Sequence, residues 1–150
     1  MEPLLSTSNK NTFLKYLDES SHYFEFGSGG STYQASIRDN IKHIYSVESD
    51  IEWQNLLKDK IKKNNITYFF CDIDTQPNNW GYPGKNASNI QKINYSNQMK
   101  YLTDEEKKKI DFIFIDGRFR ASCCLKCFYQ MQDDCIIAFD DFLNRPEYHI

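Results

Sequence analysis

The 150-residue sequence predicts an α/β protein, a doubly wound and mostly parallel sheet with helices on both faces, as one domain over residues 1–150. Three observations lead there. Short runs rich in aromatic residues and Ile recur along the chain, and segments of helical character separate them. Each run also gives way to Gly, Asp or Glu, as strands buried on both faces do when crossover helices link them.

The first run is HYFEF (22–26). It opens into Gly27, Ser28, Gly29 and Gly30, three of the six glycines of the chain, and then into a helical segment over 31–40. HIYSV (43–47) is the second strand, followed by helical character over 50–63, and ITYFFC (66–71) is the third. Residues 73–95 then break the rhythm with two prolines, two glycines and many Asn. A loop of that length in a compact domain is either functional or disordered. Trp80 and Tyr82 within it point to a segment that packs as a cover over a site, with a mobile insertion as the alternative. DEEKKK (104–109) reads as a solvated helical turn. DFIFI (111–115), a helical segment over 119–131 and CIIAF (135–139) complete the alternation.

Composition bounds the function. Hydrophobic residues make up 40% and aromatics 15% of the chain, enough for a packed core. A net charge of −3 supplies no field for a polyanion, so nucleic acid is not an expected partner. No basic segment with an apolar stretch opens the chain, and no apolar run approaches the roughly 20 residues that span a bilayer, so no membrane association is expected. Five cysteines, odd in number and clustered, fit reduced thiols and a cytoplasmic location. Cys123, Cys124 and Cys127 lack the second ligand pair that zinc needs and read as a helix face packed on the sheet.

In open α/β sheets, ligands bind beyond the carboxyl ends of the strands. Every polar motif of the sequence falls at such an end: Gly27 to Gly30 after the first strand, Glu48, Ser49 and Asp50 after the second, and Asp72 after the third. Asp116, Gly117 and Arg118 follow the fourth, and Asp140 and Asp141 the fifth. Glu48 stands about 20 residues beyond the glycine loop, where a carboxylate can accept from both hydroxyls of a ribose. That spacing implies a nucleoside-containing cofactor. A dinucleotide fingerprint would need glycine at position 32, which is Thr32. S-adenosylmethionine (SAM) needs no phosphate cradle, and Glu25, near the end of the first strand, would supply a carboxylate beside its cationic methionyl part.

EFGSGG and SVESD together resemble the first two motifs of the class I SAM-dependent methyltransferases, whose fold is Rossmann-like. The resemblance covers roughly residues 20–145 and departs from the family at Ser31, where a third glycine is usual. It implies that Glu25, Gly27, Ser28, Gly29 and Gly30 line the methionine end of SAM, that Glu48 and Ser49 hold the ribose, and that Asp72 and Asp116 lie against the cofactor. It also implies two further strands after the fifth, whereas FLNRPEYHI alone follows. The C-terminal strands are expected to be missing, leaving a sheet edge for a homo-oligomeric mate to cover.

Asp116, Asp140 and Asp141 would crowd one rim and repel unless a positive partner offsets them. A hard divalent cation is one such partner. Arg118, Arg120 and Arg145 are the other, through bidentate ion pairs. The three acids resemble the magnesium ligands of metal-assisted sugar and catechol O-methyltransferases, where Mg²⁺ activates the acceptor hydroxyl. DGRFR and DDF with RPEYH resemble methyltransferase-like domains associated with glycan building, in which Arg118 and Arg120 would grip an anionic or polyhydroxylated acceptor. Without a metal, Asp116 or Asp141 becomes the candidate base, because arginine stays protonated. The expected function is O-methylation of a hydroxyl on a glycan or other small polar acceptor. An NAD(P)-dependent oxidoreductase and a cofactor-less binding or assembly module are the alternatives.

Overall fold

The computed structural model describes residues 1–77 and 79–149. Its centre is a five-stranded, all-parallel sheet in the order β3-β2-β1-β4-β5. The strands are β1 (His22–Phe26), β2 (His43–Glu48), β3 (Ile66–Phe70), β4 (Phe112–Ile115) and β5 (Ile136–Phe139). Parallel strands require crossovers, and the helices supply them: α1 (Thr7–Glu19), α2 (Gly30–Ser36), α3 (Ile51–Lys60), α4 (Asn89–Ser96), α5 (Asp104–Lys109) and α6 (Arg120–Phe128). Strand order reverses between β1, which leads outward to β2, and β4, which leads outward to β5. The crevice for a ligand therefore opens between the carboxyl ends of β1 and β4.

Both faces are buried, as the apolar runs require. On one face Tyr23, Ile44, Phe112 and Phe114 pack with Phe13 and Leu17 of α1 and Ala35 of α2. On the other, Phe24, Phe26, Tyr45, Val47, Ile113 and Ile115 pack with Tyr95 of α4 and with Cys123 and Cys127 of α6. The cysteine pair is thus a packed helix face, and burial raises both thiols above their ordinary range. No helix of the described residues is long and apolar enough to cross a membrane.

The sheet agrees with the sequence expectation to within a residue at each strand end, while the helices run shorter. Two helices depart from it. Helix α1 precedes the first strand, its amino end capped by the Ser6 hydroxyl, which accepts from the Asn9 amide at 3.2 Å. Helix α4 starts inside the expected loop of 73–95. A capping box starts it: Gln91 N donates to the Ser88 hydroxyl, and the Gln91 side chain accepts from Ser88 N at 2.9 Å.

Candidate functional site

The carboxyl ends of β1 and β4 nearly touch. Gly27 has φ +97°, a conformation side chains rarely adopt, and its N–H donates to Val47 O at 2.9 Å. A Cβ there would lie 2.8 Å from Gly117 Cα. A Cβ on Gly117 would in turn strike the Tyr95 hydroxyl, which accepts from Arg118 N–H at 3.3 Å. Two glycines on neighbouring strands let the loops part above the sheet, and between them opens a cavity of about 1020 Å³.

Glu48 reaches the floor of this cavity from the end of β2 and is 6% exposed. Its Oε2 accepts from Ser28 N–H at 3.1 Å. Its Oε1 accepts from Ser49 N–H at 2.6 Å and Asp50 N–H at 2.9 Å. Burial pushes its pKa up to about 7, against the three backbone donors, which favour the anion. The glycine loop and Glu48 therefore share one site. A carboxylate has about four lone-pair positions, so acceptor capacity remains for a ligand hydroxyl. Gly29 also lines the cavity, and a Cβ on it would meet nothing within 4 Å, which leaves a bare stretch of backbone for a ligand to lie along. A carboxylate acceptor beside bare backbone fits the ribose and methionyl parts of SAM.

Two acids expected at the cofactor lie elsewhere. Glu25 is fully buried beneath the cavity, on the α2 face of the sheet. It accepts from the hydroxyls of Tyr23 at 2.8 Å, Ser31 at 2.7 Å and Ser46 at 2.6 Å, and from that of Thr32. Burial raises its pKa, the hydroxyls oppose the shift, and the side chain ties α2 to the sheet. Asp72 is exposed, off the cavity, and caps its own turn by accepting from Asp74 N–H at 2.8 Å.

The acidic rim is likewise not a metal site. Arg120, 4% exposed, reaches into the middle of the three carboxylates. It pairs with Asp116 at 2.8 Å, Asp140 at 3.3 Å and Asp141 at 3.2 Å. It also donates to the carbonyls of Gly117 at 3.0 Å and Asp140 at 2.9 Å. A guanidinium thus fills the place a divalent cation would take, and the three aspartates do not fit Mg²⁺. Among the described residues no cluster of three or more His, Cys, Asp or Glu is placed to hold a metal ion. Asp141 also pairs with Arg145 at 2.9 Å, so two arginines share its Oδ2. Asp116 is partly exposed to the cavity. Burial pushes its pKa up to about 7, Arg120 opposes, and Asp140 and Asp141 add to the rise.

Several lining residues carry no motif. The N-terminal segment Met1–Leu4 crosses the glycine loop, held by Glu2 to Lys10 at 2.5 Å and by the Gln34 amide to Met1 O at 3.0 Å. Gly30 serves that crossing, because a Cβ there would strike the Glu2 backbone. Trp53 braces the loop, its indole N–H donating to Ser28 O at 2.9 Å. From the segment expected to form a cover, Trp80, Gly81 and Tyr82 do line the cavity, and Ser49 donates to Gly81 O at 3.3 Å. Tyr148 and His149 pack instead against Phe139 and Phe142.

No family model and no curated protein matches the sequence. Among solved structures, the crystal structure of a methyltransferase-like protein from Silicibacter pomeroyi is similar, with a TM-score of 0.77 and 25% identity over 99% of this chain and 77% of that one. The fold is methyltransferase-like. Within that fold, the crevice at the β1/β4 switch point is where the glycine loop, Glu48 and Asp116 converge.

Proposed function

We propose that the protein is a SAM-dependent methyltransferase that methylates a hydroxyl oxygen of a small polar acceptor, such as a sugar unit of a glycan. The observation that carries this reading is the hydrogen bond from Ser28 N–H to Glu48, which joins the glycine loop and the β2 acid on one cavity floor. SAM bound there would supply an electrophilic methyl group on a cationic sulfur. Glu48 and Ser49 would hold the ribose, and the bare backbone at Gly29 would receive the methionyl part. Asp116 would accept the acceptor's hydroxyl proton as that oxygen takes the methyl group and the S–CH3 bond breaks to leave neutral S-adenosylhomocysteine, a transfer suited to a carboxyl poised near neutrality.

An NAD(P) enzyme is disfavoured by how the loop amides are used. Ser28 N–H is committed to Glu48, and Gly29 N–H donates to the Thr32 hydroxyl at 2.8 Å. A pyrophosphate would lose both donors and face Glu48.

Calorimetry with SAM and S-adenosylhomocysteine tests the proposal. Saturable binding is expected, weakened about 10- to 100-fold in Glu48→Gln, the worth of a charge-assisted hydrogen bond. No binding by the folded wild type would refute it and leave the cofactor-less module, and saturable NADH binding would favour the oxidoreductase.

A further inference from the structure

The chain has four arginines, and three are neutralised where they stand: Arg38 by Asp18, Arg120 by the aspartate rim, and Arg145 by Asp141. Arg118 is the exception. It lines the cavity, and among the described residues no carboxylate pairs with it. Its guanidinium lies over the Tyr82 ring, 4.1 Å from the centroid, and its Nε is buried without a hydrogen-bond partner. Its own backbone is fixed on both sides, the N–H donating to the Tyr95 hydroxyl and the carbonyl accepting from Cys123 Sγ at 3.4 Å.

Holding a cation in a cavity without a counter-charge is costly unless something pairs with it. Stacking on an aromatic face satisfies the flat side of a guanidinium and leaves its N–H groups directed outward in the plane, the geometry that meets a planar oxyanion bidentately. The charges of the cavity are also segregated. Glu2, Glu48, Asp50 and Glu52 stand at the glycine-loop end; at the β4/β5 end Asp116, Asp140 and Asp141 offset Arg120 and Arg145, and Arg118 is the cation left without a carboxylate among the described residues. The acidic end suits hydroxyls and a cationic sulfur, and Arg118 at the other end suits an anion.

We infer that the acceptor carries an oxyanion, a carboxylate or a phosphate ester, and that Arg118, stacked on Tyr82, clasps it beside Asp116. This rests on the methyl-transfer reading above for the word acceptor, and on the geometry of Arg118 alone for the anion. The anion would fix which hydroxyl faces Asp116, so Arg118 is a specificity-determining residue of the site.

Calorimetric titration with glucuronate, glucose 6-phosphate and glucose, with and without saturating S-adenosylhomocysteine, tests the inference. At least one charged sugar is expected to bind about 10- to 100-fold more tightly than glucose. Arg118→Gln should abolish that preference, Arg118→Lys should retain part of it, and neither should alter S-adenosylhomocysteine affinity. Comparison of the two charged sugars identifies the carboxylate or the phosphate as the preferred group. Equal binding of all three sugars, no binding of either charged one, or a preference that survives Arg118→Gln would overturn the inference. Loss of the cofactor reading alone is distinguishable: an Arg118-dependent preference without S-adenosylhomocysteine binding would keep the anion site and remove methyl transfer.

Discussion

Replacing Arg120 by Met keeps the aliphatic stem and removes the charge from the middle of the aspartate rim. The wild-type guanidinium has carboxylate partners at 2.8, 3.3 and 3.2 Å, its side chain is buried, and none of the partner side chains is more than 31% exposed. Removing one partner of a buried ion pair costs about 3–5 kcal/mol, because the remaining charge stays desolvated. Here three acids and two backbone carbonyls lose their donor together, so the upper part of that range is expected. In a chain of this size that lowers the melting temperature by roughly 8–20 °C. The pH dependence gives a sharper criterion. Asp116 titrates in the folded protein near 7, above its unfolded value, so its contribution is full below the unfolded pKa and is lost as pH rises through the folded one. Arg120 opposes that rise, and removing it lifts the folded pKa further. The gap between wild type and variant should therefore widen above about pH 7 and narrow at acid pH. Urea unfolding at pH 5.5 and pH 8 measures both effects. A loss under about 1 kcal/mol, or one larger at acid pH, would refute the assignment of Arg120 as the counter-charge of the rim.

Two other perturbations test the site separately. With Asp116 as base, kcat/KM for methyl transfer should rise through an apparent pKa near 7, and Asp116→Asn should lower the rate about 10²- to 10⁴-fold without loss of SAM affinity; a flat profile in the wild type would exclude that role. Gly27→Ala forces a side chain into φ +97° and a Cβ to 2.8 Å from Gly117 Cα, and should cost roughly 1–3 kcal/mol or more by urea unfolding. An unchanged midpoint would mean that β1 and β4 can separate at the switch point.

The sheet was legible because its signal is repeated and chemically strong: aromatic and Ile runs buried on both faces admit few other readings. Helix α1 was not, because it buries only Phe13 and Leu17, a thin apolar stripe among Asn, Lys and Thr. Helix α4 carried its start signal at Ser88 and Gln91, but a stretch rich in Pro, Gly and Asn obscured it. At the site, the sequence places Asp116, Asp140 and Asp141 on one rim but leaves open whether a metal or an arginine offsets them. Helix α6 decides that. Its first residue is Arg120, and Phe119 before it takes a left-handed φ of 53°, which turns the chain into the helix beside the rim. The N-terminal crossing over Gly30 is a contact of main chain with main chain, and such a contact has no side-chain signature to read.

Glu25 and Glu48 show why strand position matters more than motif membership. Glu25 pairs in register with Ser46, and Glu48 lies two residues beyond Ser46 on the same strand, so both acids point to the same face of the sheet. One pleat, about 7 Å along the strand, separates their levels. At the lower level α2 covers the face, and an uncompensated carboxylate would be untenable, so Tyr23, Ser31, Thr32 and Ser46 surround Glu25 with hydroxyls. At the upper level the strand ends, the donors are backbone amides of two loops, and one side of Glu48 opens to the cavity. The two levels are coupled. Ser46 commits its proton to Glu25, so in the 2.6 Å contact between the two serine hydroxyls Ser28 is the donor, and the next amide contact up is Ser28 N–H to Glu48. The acid that looks like a ligand in the motif thus supports, through two serines, the acid positioned to bind one.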